Sequence, residues 1–138
     1  MESHCLLEHT ADMGIEATAA TIEGLFVQAA LGLKEMVFGE ETFDERAERR
    51  ITLEEDDLDE LLVRWLSEIL YLIETKHLAP SRFIVDPIID HRLNALVVGE
   101  CLPHGQFQFE RAVKAITYHR LEVIRRHGSW IARVYVDL

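Results

Sequence analysis

The apolar positions of the chain fall into two long helical stripes. After Thr21, a residue type that favours the helix N-cap, apolar residues recur every three or four positions over several turns. This spacing predicts an amphipathic helix that begins behind Thr21 and ends near Gly39. A second stripe opens at Asp56 or Asp57 and runs to Ile73, and its width predicts a helix that is buried on most sides.

Shorter apolar runs alternate with polar residues in the manner of strands. The predicted strands cover residues 13–19, 49–53, 83–85, 93–98, 116–124 and 130–136. Turns are expected at Asp90-His91 and at His127-Gly128-Ser129, and residues 40–47 and 102–108 are expected to be loops. Runs of strands that follow each helix are typical of an α+β fold. We therefore predict a single domain over residues 1–138, with two helices packed against a largely antiparallel β-sheet.

Composition narrows the classes of function. The 138 residues carry 14 Lys and Arg against 25 Asp and Glu, a formal net charge of −11. This balance disfavours a protein that binds nucleic acid by itself or docks on an anionic membrane, since both need clustered basic side chains. Cys5 and Cys101 form neither a disulfide framework nor a zinc-type pair. With no signal-peptide pattern and no membrane-length apolar run, we expect a soluble, reduced, cytoplasmic protein.

The charge is unevenly distributed along the chain. Residues 40–60 contain 11 acids and 3 bases, a net charge of −8, whereas residues 111–133 contain 6 bases and 1 acid, a net charge of +5. Charge runs of this kind are usually solvated surface. An acidic block and a basic segment therefore coexist in one small domain.

Candidate chemistry is concentrated near the end of the chain. Strand alternation places Leu138 on the same predicted core face as Ala132, Val134 and Val136, and places Asp137 on the opposite face. The Asp137 carboxylate and the terminal carboxylate of Leu138 are the kind of oxygen cluster that hard divalent cations bind. A solvated acid at a frayed terminus is the simpler interpretation of this position taken alone.

Asp12 and Lys114 each have a functional and a structural interpretation, and His119 has a structural one. Asp12, three residues after His9 and shortly before Gly14, belongs either to a site or to a turn. Lys114, at the start of a predicted strand, is either functional or a solvated edge lysine. His119 shares strand parity with apolar neighbours, which predicts a hydrogen-bonded core histidine. The chain has no phosphate-binding glycine loop, no nucleophile elbow and no zinc-protease motif, so no catalytic machinery is evident.

Two short motifs, taken in order, resemble the archease family. The first is His-Thr-Ala-Asp-x-Gly at residues 9–14, and the second is Lys-Ala-x-Thr-Tyr-His at residues 114–119. The resemblance extends through both predicted helices, at residues 21–26 and 61–72, to the closing Val136-Asp137-Leu138. Archeases work with the RNA-splicing ligase that seals RNA ends.

The resemblance implies a set of roles. Asp12 and Asp137 match the metal-binding carboxylates of the family, Lys114 matches its functionally important lysine, and Leu138 is a further metal ligand by position. The implied cofactor is a divalent ion, Ca²⁺ first, with Mg²⁺ or Mn²⁺ as alternatives. The implied partner is the RNA-splicing (tRNA) ligase, whose guanylylation and multiple turnover the protein promotes. RNA would then be contacted only through the ligase, and the chain itself would not be an enzyme.

Two other functions stay open from the sequence. One is a stand-alone metal-dependent phosphatase or hydrolase that uses Asp12 and Asp137, for which no clear nucleophile or general base is evident. The other is a chaperone-like scaffold, which would be indifferent to loss of Asp137.

Overall fold

The computed structural model describes residues 2–8, 12–103 and 107–138, and for Asp12 it describes the backbone only. These described residues contain two helices and eight strands. In chain order they are β1 (Ser3–Glu8), β2 (Asp12–Ala19), α1 (Ile22–Phe38), β3 (Ala47–Glu54), α2 (Leu58–Thr75), β4 (Leu78–Val85), β5 (Arg92–Cys101), β6 (Ala115–Ile116), β7 (Glu122–Arg126) and β8 (Ser129–Asp137).

The strands form two antiparallel sheets rather than one. The first has the order β1-β2-β8-β6, with β7 also paired to β8, and the second has the order β3-β5-β4. Helix α1 contacts β1, β2 and β8 of the first sheet and β4 of the second, while α2 contacts strands of both sheets. The predicted α+β class with two helices on antiparallel sheet is confirmed, and the helices and both sheets share one hydrophobic core.

Both helices begin at the predicted caps. The Gly24 N–H donates to the Thr21 hydroxyl at 3.0 Å, and the Glu60 N–H donates to the Asp57 carboxylate at 2.8 Å. These bonds satisfy backbone donors that the first turn of a helix leaves unpaired. The core between the helices includes Trp65, which is fully buried and donates its indole N–H to the Phe26 carbonyl at 2.9 Å.

Both predicted hairpin turns are confirmed. Asp90 and His91 have φ values of 53° and 56°, and His127 and Gly128 have φ values of 53° and 79°. Positive φ at both central residues is the requirement of a type I′ turn, whose twist matches that of the flanking strands. The two turns connect β4 to β5 and β7 to β8.

The prediction of one strand over residues 116–124 is wrong, and so is the buried His119 that depended on it. Strand β6 ends at Ile116, β7 starts at Glu122, and His119 is exposed. The Thr117 hydroxyl interrupts the strand because it donates to the Tyr135 carbonyl at 2.9 Å and accepts from the His119 N–H at 3.2 Å. A side chain that bonds to the nearby backbone in this way favours a turn over the regular hydrogen bonds between strands.

Other differences lie at the ends of the elements. Strand β1 was not predicted, and β4 starts five residues earlier than expected, at Leu78. Its early part contains Pro80, which is tolerated because β4 is an edge strand and its register shifts between Pro80 and Arg82. Cys5 and Cys101 are exposed and unbridged, as expected. No helix in the described ranges is long and apolar enough to cross a membrane.

Candidate functional site

The register of the first sheet places the two aspartates of the predicted metal site opposite one another. Strand β2 pairs with β8 so that Asp12, its first residue, lies across from Asp137, the last residue of β8. Directly opposed positions of an antiparallel pair carry their side chains on the same face of the sheet. Asp12 therefore begins a strand rather than a turn. His9 lies outside the described residues.

Lys114 reaches the same end of the sheet from a third segment. Its backbone N–H donates to the Asp137 carbonyl at 2.8 Å, and the following Ala115 pairs with Asp137. The Lys114 side chain is exposed and makes no ion pair with any carboxylate whose position is described. The structure thus brings the backbones of Asp12, Asp137 and Lys114 together.

A groove runs beside Lys114 along one side of α2. It encloses about 290 Å³ and is lined by Lys114 to Ile116 on one side and by α2 residues that include Ser67, Tyr71 and Glu74 on the other. Tyr71 is 48% exposed, and a smaller apolar hollow next to the groove is lined by Phe109, which is 45% exposed. Accessible aromatic rings beside a charged side chain are typical of protein contact surfaces.

Leu138 is exposed and is not buried on the core face, where strand alternation predicted it. Ala132, Val134 and Val136 are buried as expected, but Leu138 is 42% exposed. Strand β8 ends at Asp137, so the alternation that governs the strand no longer applies to the next residue. The backbone of Leu138 nevertheless directly follows Asp137 at the candidate site.

The next pair on the same face as Asp12 and Asp137 is Gly14 opposite Tyr135. A Cβ at Gly14 would lie 2.8 Å from Cε1 of Tyr135, so the tyrosine ring covers the glycine. Tyr135 is only 6% exposed, although alternation puts it on the same face as Asp137 and not on the face of the core. Sequence reasoning missed this pair, and the available signal was a glycine inside a strand, which marks a close approach.

Further along the outer face of the first sheet, charged side chains of neighbouring strands form ion pairs. Arg133 donates to Glu16 at 2.6 Å across β2 and lies 3.9 Å from Glu122 of β7. The hydrogen bond and charge of Glu16 raise the pKa of the Arg133 guanidinium. Arg133 is therefore neutralised locally, while Lys114, Arg120, Arg125 and Arg126 are exposed, as expected for a solvated charge run.

Few described side chains could act together as metal ligands. Among the residues with described side chains, no group of three or more His, Cys, Asp or Glu residues could hold a metal ion. The predicted ligands Asp12, Asp137 and the carboxylate at Leu138 are hard oxygen donors, which is the chemistry that Ca²⁺, Mg²⁺ and Mn²⁺ prefer.

Comparison with known proteins identifies the family. Residues 4–138 match the model of the Archease protein family (MTH1598/TM1083). The chain belongs to the archease family. Similar archeases include those of Methanosarcina mazei, 38% identical over 136 residues with 96% of this chain and 93% of that protein covered, and of Pyrobaculum neutrophilum, 33% identical over 135 residues with 95% and 92% covered.

Solved archease-fold structures agree with the architecture. The solution structure of Methanobacterium thermoautotrophicum protein 1598 is 30% identical, covers 99% of both chains and superposes with a TM-score of 0.85. The crystal structure of a Thermotoga maritima archease, named as a possible chaperone, covers 96% of this chain and 94% of its own with a TM-score of 0.63. At 19% identity, the second structure supports the fold alone.

Proposed function

We propose that this archease is a cytoplasmic, metal-binding accessory protein of an RNA-splicing (tRNA) ligase and not itself an enzyme. It promotes guanylylation of the ligase histidine and multiple turnover, and it meets RNA only through the ligase. The observation that carries the proposal is the convergence of Asp12, Asp137 and Lys114, three charged residues from separate segments, at one end of the first sheet. Membership of the archease family supports it.

Asp12, Asp137 and the carboxylate at Leu138 would hold the divalent ion. A site of this kind is only part of a coordination sphere, because Ca²⁺ takes about six to eight oxygens. Water, the ligase or the phosphates of its nucleotide would supply the remaining oxygens. A bound divalent ion would supply positive charge that offsets the negative charge growing on the pyrophosphate leaving group.

Lys114 would act beside that ion. Its side chain is exposed, and its backbone is fixed to Asp137 by the 2.8 Å hydrogen bond. The ammonium group is therefore available either to steady a phosphate or to pair with an acidic residue of the ligase. Both roles place positive charge next to the nucleotide, where phosphoryl chemistry needs it.

The test is ligase guanylylation with GTP, measured in single- and multiple-turnover form with and without this protein. We expect Asp12→Asn, Asp137→Asn and Lys114→Met each to lower activation by at least about tenfold, the usual scale for groups that hold or support a metal. Asp44→Asn, which changes an exposed carboxylate paired to Arg46, is the matched control and is expected to activate normally. Full activation by the two metal-site variants would exclude the metal role.

A chaperone-like role is the second candidate, favoured by the exposed aromatic side chains of Tyr71, Phe109 and Tyr118. It predicts that the protein suppresses aggregation of unrelated clients equally well with Asp137→Asn. Steady hydrolysis of phosphate esters with Mg²⁺ or Mn²⁺ and no ligase would instead favour the stand-alone hydrolase.

A further inference from the structure

A second surface feature lies at the other end of the first sheet. The first residues of both helices, the β4–β5 turn and the start of β8 meet around a hollow of about 450 Å³. Its lining residues are Ile22, Leu58, Ile88, Asp90, His91 and Trp130. Trp130 and Asp137 are near opposite ends of β8, so about 23 Å separates this hollow from the candidate metal site, at roughly 3.3 Å per strand residue.

The margin of the hollow carries an exposed apolar side chain. Ile89 stands at the tip of the β4–β5 hairpin and is 66% exposed, the largest exposure among the large hydrophobic side chains of the described residues. The tip is held in shape because the Arg92 N–H donates to the Ile89 carbonyl at 3.0 Å. Ile88 and Trp130 are only partly buried beside it. An apolar patch on a rigid tip, next to a hollow, is typical of a protein contact site.

The rim of the hollow is acidic. Asp90 lines it, Asp57 and Asp59 flank Leu58 in the chain, and the Glu55 N–H donates to the His91 carbonyl at 3.3 Å. Burial and the charge of Asp57 raise the pKa of Asp59. Asp57 and Asp59 therefore repel one another, and a cation brought to this part of the rim would relieve that repulsion.

Three arginines near the rim already contact other side chains. Arg64 pairs with Glu55 at 2.5 Å, Arg92 pairs with Glu54, and the Arg125 guanidinium lies 5.8 Å from the centre of the Trp130 ring. Among the described residues Asp57 and Asp59 form no ion pair, and Asp90 acts on Arg92 through its charge without a direct ion pair. The surface thus combines an apolar hollow with more carboxylates than arginines around it.

We propose that this hollow is a docking site for a basic segment of the partner ligase, in which an apolar side chain enters beside Trp130 and lysine or arginine side chains face the acidic rim. The identity of the partner rests on the proposed function. Charge complementarity selects the occupant, because a basic segment gains from this rim whereas RNA or an acidic peptide is repelled. Docking here would hold the ligase while the distant Asp137 end meets its nucleotide.

The test compares Ile89→Ser combined with Asp90→Asn against a matched control, Ile84→Ser combined with Glu48→Gln. Both pairs remove one exposed isoleucine and one carboxylate, and the control residues lie on the second sheet away from the hollow. Asparagine tolerates the positive φ of Asp90, so the hairpin is expected to persist. Ligase binding is measured by titration at low and high salt, together with the protein concentration that gives half-maximal guanylylation.

We expect the hollow variant to bind the ligase about tenfold more weakly than wild type, with the difference shrinking as salt rises. Saturating protein should restore full guanylylation, because docking is separate from the metal site. Binding equal to wild type, or a defect shared by the control, would overturn the docking site while the proposed function stands. Loss of activation by Asp137→Asn with normal binding supports both proposals, and wild-type protein that fails to bind the ligase overturns both.

Discussion

Gly14 and Tyr135 show how one missing side chain shapes the candidate site. The tyrosine ring occupies the space above Gly14, and a Cβ there would lie 2.8 and 2.9 Å from two ring carbons and 3.3 Å from the Leu7 Cβ. The next pair on the same face of these two strands is Asp12 and Asp137. The glycine therefore leaves room for the Tyr135 ring on the face of the sheet that also carries Asp137, and the tyrosine is 6% exposed there.

Gly14→Ala is expected to destabilise the fold by about 1–3 kcal/mol, the usual cost of overpacking. The same substitution in a Tyr135→Leu background should cost less, since the ring that it meets is gone. Urea unfolding of the wild type, both single variants and the double variant measures the coupling between the two positions. An equal cost of Gly14→Ala in both backgrounds would show that the ring contact is not the cause.

At the start of α2, Asp57 has two opposing effects on stability, because its side chain caps the helix and its charge repels neighbouring carboxylates. Asp57 caps the helix by accepting from the Glu60 N–H. Its charge also raises the pKa of Glu60, and burial together with Asp57 raises the pKa of Asp59. Because both pKa values are higher in the folded protein than in the unfolded chain, the ionised Asp59 and Glu60 side chains lower the stability at neutral pH. This loss of stability disappears as the pH falls below the ordinary carboxyl range, where both groups are protonated in both states.

Asp57→Asn is expected to keep the cap and lower the pKa of both Asp59 and Glu60, because the oxygen acceptor stays while the charge is lost. Asp57→Ala should lower the same two pKa values and also cost about 1 kcal/mol of stability through loss of the cap. NMR titration of the carboxyl groups and urea unfolding at neutral pH measure the two effects separately. Unchanged pKa values in both variants would contradict the role of the Asp57 charge.

At the scale of the whole molecule, the net charge of −11 separates into distinct surfaces. The acidic block contributes Asp57 and Asp59 to the rim of the hollow at the start of α2. In the basic segment, Arg133 pairs with Glu16 and Arg125 lies over Trp130. Lys114 remains exposed at the opposite end of the first sheet. The charged groups around the hollow and those at the candidate metal site therefore lie at opposite ends of the first sheet.

Metal binding at the end of the first sheet should stabilise the whole fold by mass action. With Ca²⁺ at a hundred times its dissociation constant, the free energy of unfolding is expected to rise by about 2.7 kcal/mol. Asp137→Asn should abolish most of that rise, whereas the surface control Asp44→Asn should preserve it. Thermal unfolding with Ca²⁺, Mg²⁺, Mn²⁺ or a chelator measures the effect and ranks the metals, and a rise that persists in Asp137→Asn would place the ion elsewhere.

The sequence by itself determined the parts of the protein that depend on local chemistry. Both helices, their caps at Thr21 and Asp57, and the two hairpin turns follow from side-chain spacing and from residues that suit positive φ or N-cap geometry. These features need contacts only a few residues away along the chain, so periodicity and residue type are sufficient to predict them. The motifs that resemble archease likewise identified Asp12, Lys114 and Asp137 as candidates.

Tertiary structure alone decided how distant segments meet. The hydrogen bonds of Thr117 to Tyr135 and His119 divided a run of residues with good strand pattern. The end of β8 at Asp137 left Leu138 exposed, and the approach to Gly14 covered Tyr135. The pairing of Asp12 with Asp137 is set by the register of β2 on β8. Register depends on which faces of two strands are buried together, and no local pattern specifies that before the chain has folded.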